Sequence, residues 1–107
     1  MKASDTKEME WFVSTLKEQF ALSVQSSDIG YEAMELGIDE VAPSFVPTEL
    51  FEENPASLIY ETMIVEDPQE NLWVGAVSYY PHSSEWCLQV ITKNDEVVLR
   101  KVLSLIE

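Results

Sequence analysis

His82 stands beside Ser83 and Ser84, with Glu85 and Cys87 close behind, so a base, hydroxyls, a carboxylate and a thiol crowd into one short stretch. Nucleophilic catalysis would need the imidazole to take a proton from a hydroxyl or thiol while a third group orients the ring. Crowding in a turn that opens on Pro81 does not supply that convergence, and an exposed loop histidine is the expectation. Cys87 falls within a strand-like stretch among acidic and apolar neighbours. That setting suits a core thiol, because a reactive thiolate needs positive charge nearby. The carboxylate pairs Asp39-Glu40, Glu52-Glu53 and Glu66-Asp67 lack the alternating ligand spacing of a calcium loop. The chain also has no phosphate-binding glycine loop, nucleophile elbow or H-E-x-x-H. No catalytic residue, metal or cofactor is expected, and the protein is expected not to be an enzyme.

The carboxylates matter more as a block. The 107-residue chain carries a net charge of -14. All its Lys and Arg residues lie at or before Lys17 and at or after Lys93, where they balance the nearby acids. The whole excess therefore sits in residues 18–92. Such a field attracts basic surfaces and repels nucleic acid and anionic membranes. Asp28, Glu32, Glu35 and Asp39 are spaced by four, three and four, which on a helix forms a single stripe. Glu40, Glu49, Glu52 and Glu53 extend it. Like charges at this spacing cost a helix about 0.2–0.5 kcal/mol per pair, and no lysine offsets them. A solvated face kept acidic for solubility accounts for the stripe equally well. On a helix the charges would recur every ~5–6 Å, against the ~3.4 Å phosphate repeat of a DNA strand, which allows charge mimicry. Trp11, off the main apolar face of its helix, and Phe45, between Pro43 and Pro47, are the aromatic residues best placed to anchor a partner.

These residues must be positioned by a single domain spanning 1–107. Asp5 and Glu8 have capping-box spacing, and Met9, Phe12, Val13, Leu16, Phe20 and Val24 follow at steps of three and four. That pattern predicts a five-turn amphipathic helix. Ser26, Ser27 and Asp28 lead into a second helical segment on Ile29, Ala33 and Leu36, with Gly37 as a left-handed cap. Thr48 starts a short helix through Leu50 and Phe51. After Pro55, strands are predicted over Leu58–Val65, Leu72–Tyr80 and Trp86–Thr92, joined by Asp67-Pro68-Gln69-Glu70 as a type I turn and by residues 81–84. Gly75 marks a bulge or the close approach of a helix. Asn94 then caps a last helix whose Val98, Leu99, Val102, Leu103, Leu105 and Ile106 pack inward. The expected fold is α+β: N-terminal helices, a three-stranded antiparallel meander and a C-terminal helix.

One cysteine, a start without an apolar run and no stretch long enough to span a bilayer point to the cytoplasm. The leading functional expectation is an acidic inhibitor that docks on a basic protein, one that itself handles nucleic acid. Immunity proteins and nucleic-acid mimics share this size, charge and lack of active-site motifs, an analogy of class and not of residues. The alternative is a small acidic secretion-type chaperone that binds an apolar segment of its partner. A small enzyme or oligomer subunit whose site leaves no motif is the third reading. Self-repulsion within residues 18–92 destabilises the compact state, so moderate salt should raise the melting temperature of the free protein. A flat or falling melting temperature across a salt series would mean that these acids are dispersed or paired.

Overall fold

In the computed structural model, residues 7–41, 45–46, 57–81 and 85–103 are described. One α-helix, α1 (Lys7–Phe20), precedes five strands: β1 (Gly30–Gly37), β2 (Ser57–Glu66), β3 (Leu72–Tyr79), β4 (Leu88–Lys93) and β5 (Glu96–Val102). The strands form one antiparallel sheet in the order β1-β2-β3-β4-β5, a simple meander. This corrects the expected fold. The three central strands lie where the alternation put them, but the second and last helices are edge strands of the same sheet. Short 3-10 turns at Ser26–Asp28 and Ile38–Glu40 flank β1. The short helix expected at 48–51, like residues 104–107, lies outside the described residues.

α1 buries Met9, Phe12 and Leu16, as its periodicity predicts. It ends at Phe20, a turn early, because Ala21 takes a left-handed conformation (φ 55°). There the Leu22 amide donates to the Leu16 carbonyl at 3.0 Å. The helix lies on Met63, Val65, Trp73 and Ile91, with Ile29 at its border. Phe12 comes down on Gly75. A Cβ at that position would sit 2.3 Å from Phe12 Cδ1. Pairing runs unbroken through Gly75, with Met63 on one side and Ile91 on the other, so this glycine admits a helix and makes no bulge.

The opposite face of the sheet carries a second cluster of Leu58, Tyr60 and Cys87, with Met34, Leu36, Val41, Phe45 and Tyr80 packed around it. The short piece at residues 45–46 is pinned there. The Tyr60 hydroxyl donates to the Phe45 carbonyl at 2.7 Å, and Arg100 Nη2 donates to the Val46 carbonyl at 2.8 Å.

The two misassigned elements have identifiable causes. In β1, the residues that look like one apolar helix line divide by alternation. Tyr31 and Glu35 share the α1 side, while Met34 and Leu36 serve the second cluster. Gly37 is extended, at φ -64°, and caps nothing left-handed. A helix here would also align four carboxylates, which the strand avoids. In β5, Asn94 (φ 51°) and Asp95 (φ 71°) make the tight turn that pairs Lys93 with Glu96. Two positive φ values in a two-residue hairpin loop are the mark of a type I′ turn. Asn and Asp serve helix caps and such turns alike. The β-branched Val97, Val98 and Val102 then extend into a strand. Of the residues expected to face inward from a last helix, Val98 is exposed, Leu99 packs against the α1-side core from the strand, and Leu105 and Ile106 lie outside the described residues.

The Phe12–Gly75 contact yields a test. Gly75→Ala should lift α1 and cost about 1–3 kcal/mol in denaturant unfolding, the usual range for overpacking a core. In a Phe12→Leu background the same substitution should cost much less. Equal costs in both backgrounds would mean that Gly75 serves something other than this ring.

Candidate interaction edge

Strand β1 is an outer strand of the sheet, and among the described residues no strand pairs with its free side. It brings the acidic residues singled out above onto one sheet edge, although not as a stripe. Asp28 precedes the strand in a 3-10 turn. Glu32 and Glu35 lie on the strand, and Asp39 and Glu40 lie in the turn that follows. Asp28, Glu32, Glu35, Asp39 and Glu40 are all exposed. Glu32 and Glu35 point to opposite faces and stand ~10 Å apart at a strand's rise of ~3.3 Å per residue. The helical charge spacing, and the phosphate comparison built on it, therefore fall away. What remains is an acidic rim on both faces of one edge. Two of these carboxylates make local bonds: Glu40 Oε1 accepts the Gly37 amide at 2.7 Å, and Glu35 Oε2 accepts the Ser57 hydroxyl. Glu49, Glu52 and Glu53 lie outside the described residues.

Beside this edge is an open depression of about 340 Å³ lined by Gly30, Tyr31, Glu32, Thr62 and Ile64. Its cause is local. Gly30 is the cross-strand partner of Ile64 and offers no side chain to cover it, which leaves Ile64 43% exposed. A Cβ at Gly30 would meet only the Ile64 carbonyl oxygen, at 3.9 Å. Among the described residues, Leu72, Val97 and Val98 are the other large apolar side chains left exposed.

The two aromatic candidates are half-buried. Trp11 stacks edge-on against Trp86 at 6.0 Å, and Phe45 belongs to the second core cluster. His82, Ser83 and Ser84 lie outside the described residues. Cys87 is fully buried, with the Ser78 hydroxyl 3.6 Å from its sulfur, and burial pushes its thiol pKa up. It is a core thiol. Among the described residues no group of three or more His, Cys, Asp or Glu could hold a metal ion, and no helix is long and apolar enough to cross a membrane.

The polar centres that sequence reasoning missed are buried and hydrogen-bonded between elements. Glu61, on β2 under the start of α1, accepts hydrogen bonds from the hydroxyls of Tyr31 and Tyr79 on the two neighbouring strands. Glu8, in the first turn of α1, accepts the Trp86 indole N–H at 3.1 Å. Asp67 closes the β2–β3 turn. Its Oδ1 accepts the amides of Gln69 and Asn71, each at 2.9 Å, and its Oδ2 accepts Trp73 Nε1 at 2.9 Å and Asn71 Nδ2 at 3.1 Å. The Trp73 bond, aided by those from Asn71 and Gln69 and opposed by desolvation, holds this carboxyl down at about 2. Cross-strand diagonals such as Tyr31–Glu61–Tyr79 become visible only once the register is known.

The chain matches no known family model, no curated protein and no solved structure.

Burial, reinforced by the bonds to Glu61, raises the phenol pKa values of Tyr31 and Tyr79 well above the ordinary 10.0. Burial pushes Tyr60 up to about 12. A raised phenol means that the unfolded chain releases its protons first. The stability these groups contribute is complete below about pH 10 and is lost as pH climbs through the folded values. Tyrosinate absorbance of the native protein should therefore lag behind that of the denatured chain and rise together with unfolding. Tyr79→Phe takes one donor from the buried Glu61 and should cost about 1–3 kcal/mol. Tyrosines that titrate normally while the protein stays folded would show that the Glu61 cluster is open.

Proposed function

We propose that this protein is a non-enzymatic inhibitor that docks its acidic rim on a basic protein, one that itself handles nucleic acid, in the manner of immunity proteins. The observation that carries this reading is the placement of Asp28, Glu32, Glu35, Asp39 and Glu40 along one open sheet edge, within a stretch that has no Lys or Arg from 18 to 92. A rim charge of this kind speeds association and excludes acidic partners, while packed aromatic and apolar groups supply most of the affinity. The remaining well-buried carboxylates do not suggest acid–base work. Glu61, Glu8 and Asp67 are engaged by tyrosine, tryptophan and backbone donors that tie strands, helix and turn together. The buried, unpaired Cys87 fits a reducing cytoplasm.

One observation favours the second reading, a chaperone for an apolar segment: the exposure of Ile64, Leu72, Val97 and Val98. Salt separates the two, since an electrostatic complex weakens as ionic strength rises and an apolar one does not.

The test compares the parent with a triple variant, Asp28→Asn, Glu32→Gln and Glu35→Gln, in affinity capture at low and moderate salt. A basic protein should be recovered by the parent at low salt, associate several-fold more slowly with the variant, and lose its nucleic-acid activity when the parent is added in stoichiometric amount. A Glu10→Gln control, in the charge-balanced terminal segment, should behave as the parent. A captured partner that binds the triple variant as fast as the parent removes the rim from the mechanism, and capture that persists at high salt favours the chaperone.

A further inference from the structure

The geometry points to strand addition at β1: an extended basic segment of the partner pairs antiparallel with Gly30–Gly37 as a sixth strand. This rests on the basic-partner reading above and specifies how the partner is held. Three independent features of the edge support it. The first is regularity. β1 pairs with β2 over eight consecutive residues without a register shift, and it contains no proline and no lysine. Natural edge strands are usually blunted by bulges, proline or inward charge. The other edge is blunted in this way: the β4–β5 ladder has a bulge that leaves Val98 without a partner, and β5 carries Arg100 and Lys101. The second feature is charge. An added strand would place one side chain opposite Glu32 and another opposite Glu35, on the two faces of the sheet, where opposite charges pair favourably across strands. The third is the seat over Ile64. The residue opposite Gly30 lies on the same face as Glu32 and meets the depression that Gly30 leaves open.

These positions define the incoming segment. Read antiparallel, the residue opposite Glu35 comes first, the one opposite Glu32 three later, and the one opposite Gly30 two after that. The partner segment is therefore Lys/Arg-x-x-Lys/Arg-x-apolar in an extended stretch. The same edge disfavours acidic strands, and pairing with a second copy of β1 in the register that sets Glu32 opposite Glu35 places carboxylates opposite carboxylates.

A fluorescent peptide with Lys-Val-Thr-Lys-Thr-Leu at its centre, flanked by threonines, provides the test against a scrambled peptide of identical composition in which the lysines are adjacent. The parent should bind the ordered peptide about ten-fold more tightly, the scale expected when two cross-strand ion pairs and one apolar contact are gained together. Glu32→Gln with Glu35→Gln should reduce the ordered peptide to the level of the scrambled one. Gly30→Thr, which the space at that position accommodates, should remove the advantage of the leucine and leave that of the lysines. Amide signals of Gly30–Gly37 should shift on binding, and the alternate amides that point away from β2 should gain protection from exchange. Equal affinity for the two peptides, failure of both to bind, or shifts centred away from β1 each overturn strand addition. The basic-partner reading stands or falls separately, on the capture experiment with the triple variant.

Discussion

The fit of the Phe12 ring against Gly75 is the constraint on which the rest of the molecule depends. A fourteen-residue helix is ~21 Å long, and the outer strands of a five-stranded sheet lie ~19 Å apart, so one helix can cover one face only if it lies close. Missing a side chain at the centre of β3 lets α1 approach that closely. Contacts at both ends then hold its direction. Trp11 and Lys7 meet Trp86 near its start, with Lys7 Nζ 5.1 Å from the Trp86 ring, and Phe20 meets Trp73 at 5.1 Å near its end. The second face has no described helix. It relies on Tyr60 and Arg100 gripping the backbone at Phe45 and Val46, and towards the Ile64 end its apolar residues are left exposed.

Buried polar groups lock what the apolar contacts only bring together. Glu61 joins three strands through two tyrosines, and Asp67 and Asn94 tie the two hairpin turns at one end of the sheet. Asn94 Oδ1 accepts the Leu72 amide at 2.9 Å, and its amide nitrogen donates to Asn71 Oδ1 at 2.9 Å. Among the described residues no buried side-chain nitrogen or oxygen lacks a hydrogen-bond partner. Satisfied networks of this kind favour one register over its neighbours, since a slip of one residue would send Glu61 to the other face and strand its donors.

The sequence made the apolar face of α1, the three central strands and the Asp67–Glu70 turn legible, because each has an unambiguous period or turn chemistry. The edge strands were hidden for two different reasons. At β1 and the residue before it, Ile29, Ala33 and Leu36 fit helical spacing by coincidence, since Met34 and Leu36 pack, half-buried, on a second cluster that the sequence does not announce. In β5, Asn94 and Asp95 have the chemistry of a helix start and of a type I′ turn, and only the pairing of Lys93 with Glu96 distinguishes them. The acidic residues were legible as a group but not in arrangement. The repulsion that a helical stripe would carry was already an argument against a helix, and the strand relieves it by sending Glu32 and Glu35 to opposite faces.

That relief also explains why β1 is an edge. Glu32 and Glu35 leave β1 on opposite faces, and a carboxylate buried without a partner costs several kcal/mol. At the edge, both stay in water. On the proposed reading, the same charges would also select what pairs with β1, since no described strand occupies its outer side and its exposed carboxylates disfavour an acidic neighbour. A net charge of -14 opposes the approach of a second copy at long range, and carboxylates on an edge strand disfavour edge-to-edge pairing at short range. Charge without a bulge or a proline discourages like strands while leaving the backbone of β1 regular, as the proposed strand addition requires. Solubility and partner selection are therefore not competing explanations of the acidic rim: the carboxylates that prevent aggregation are also those that would choose a basic partner.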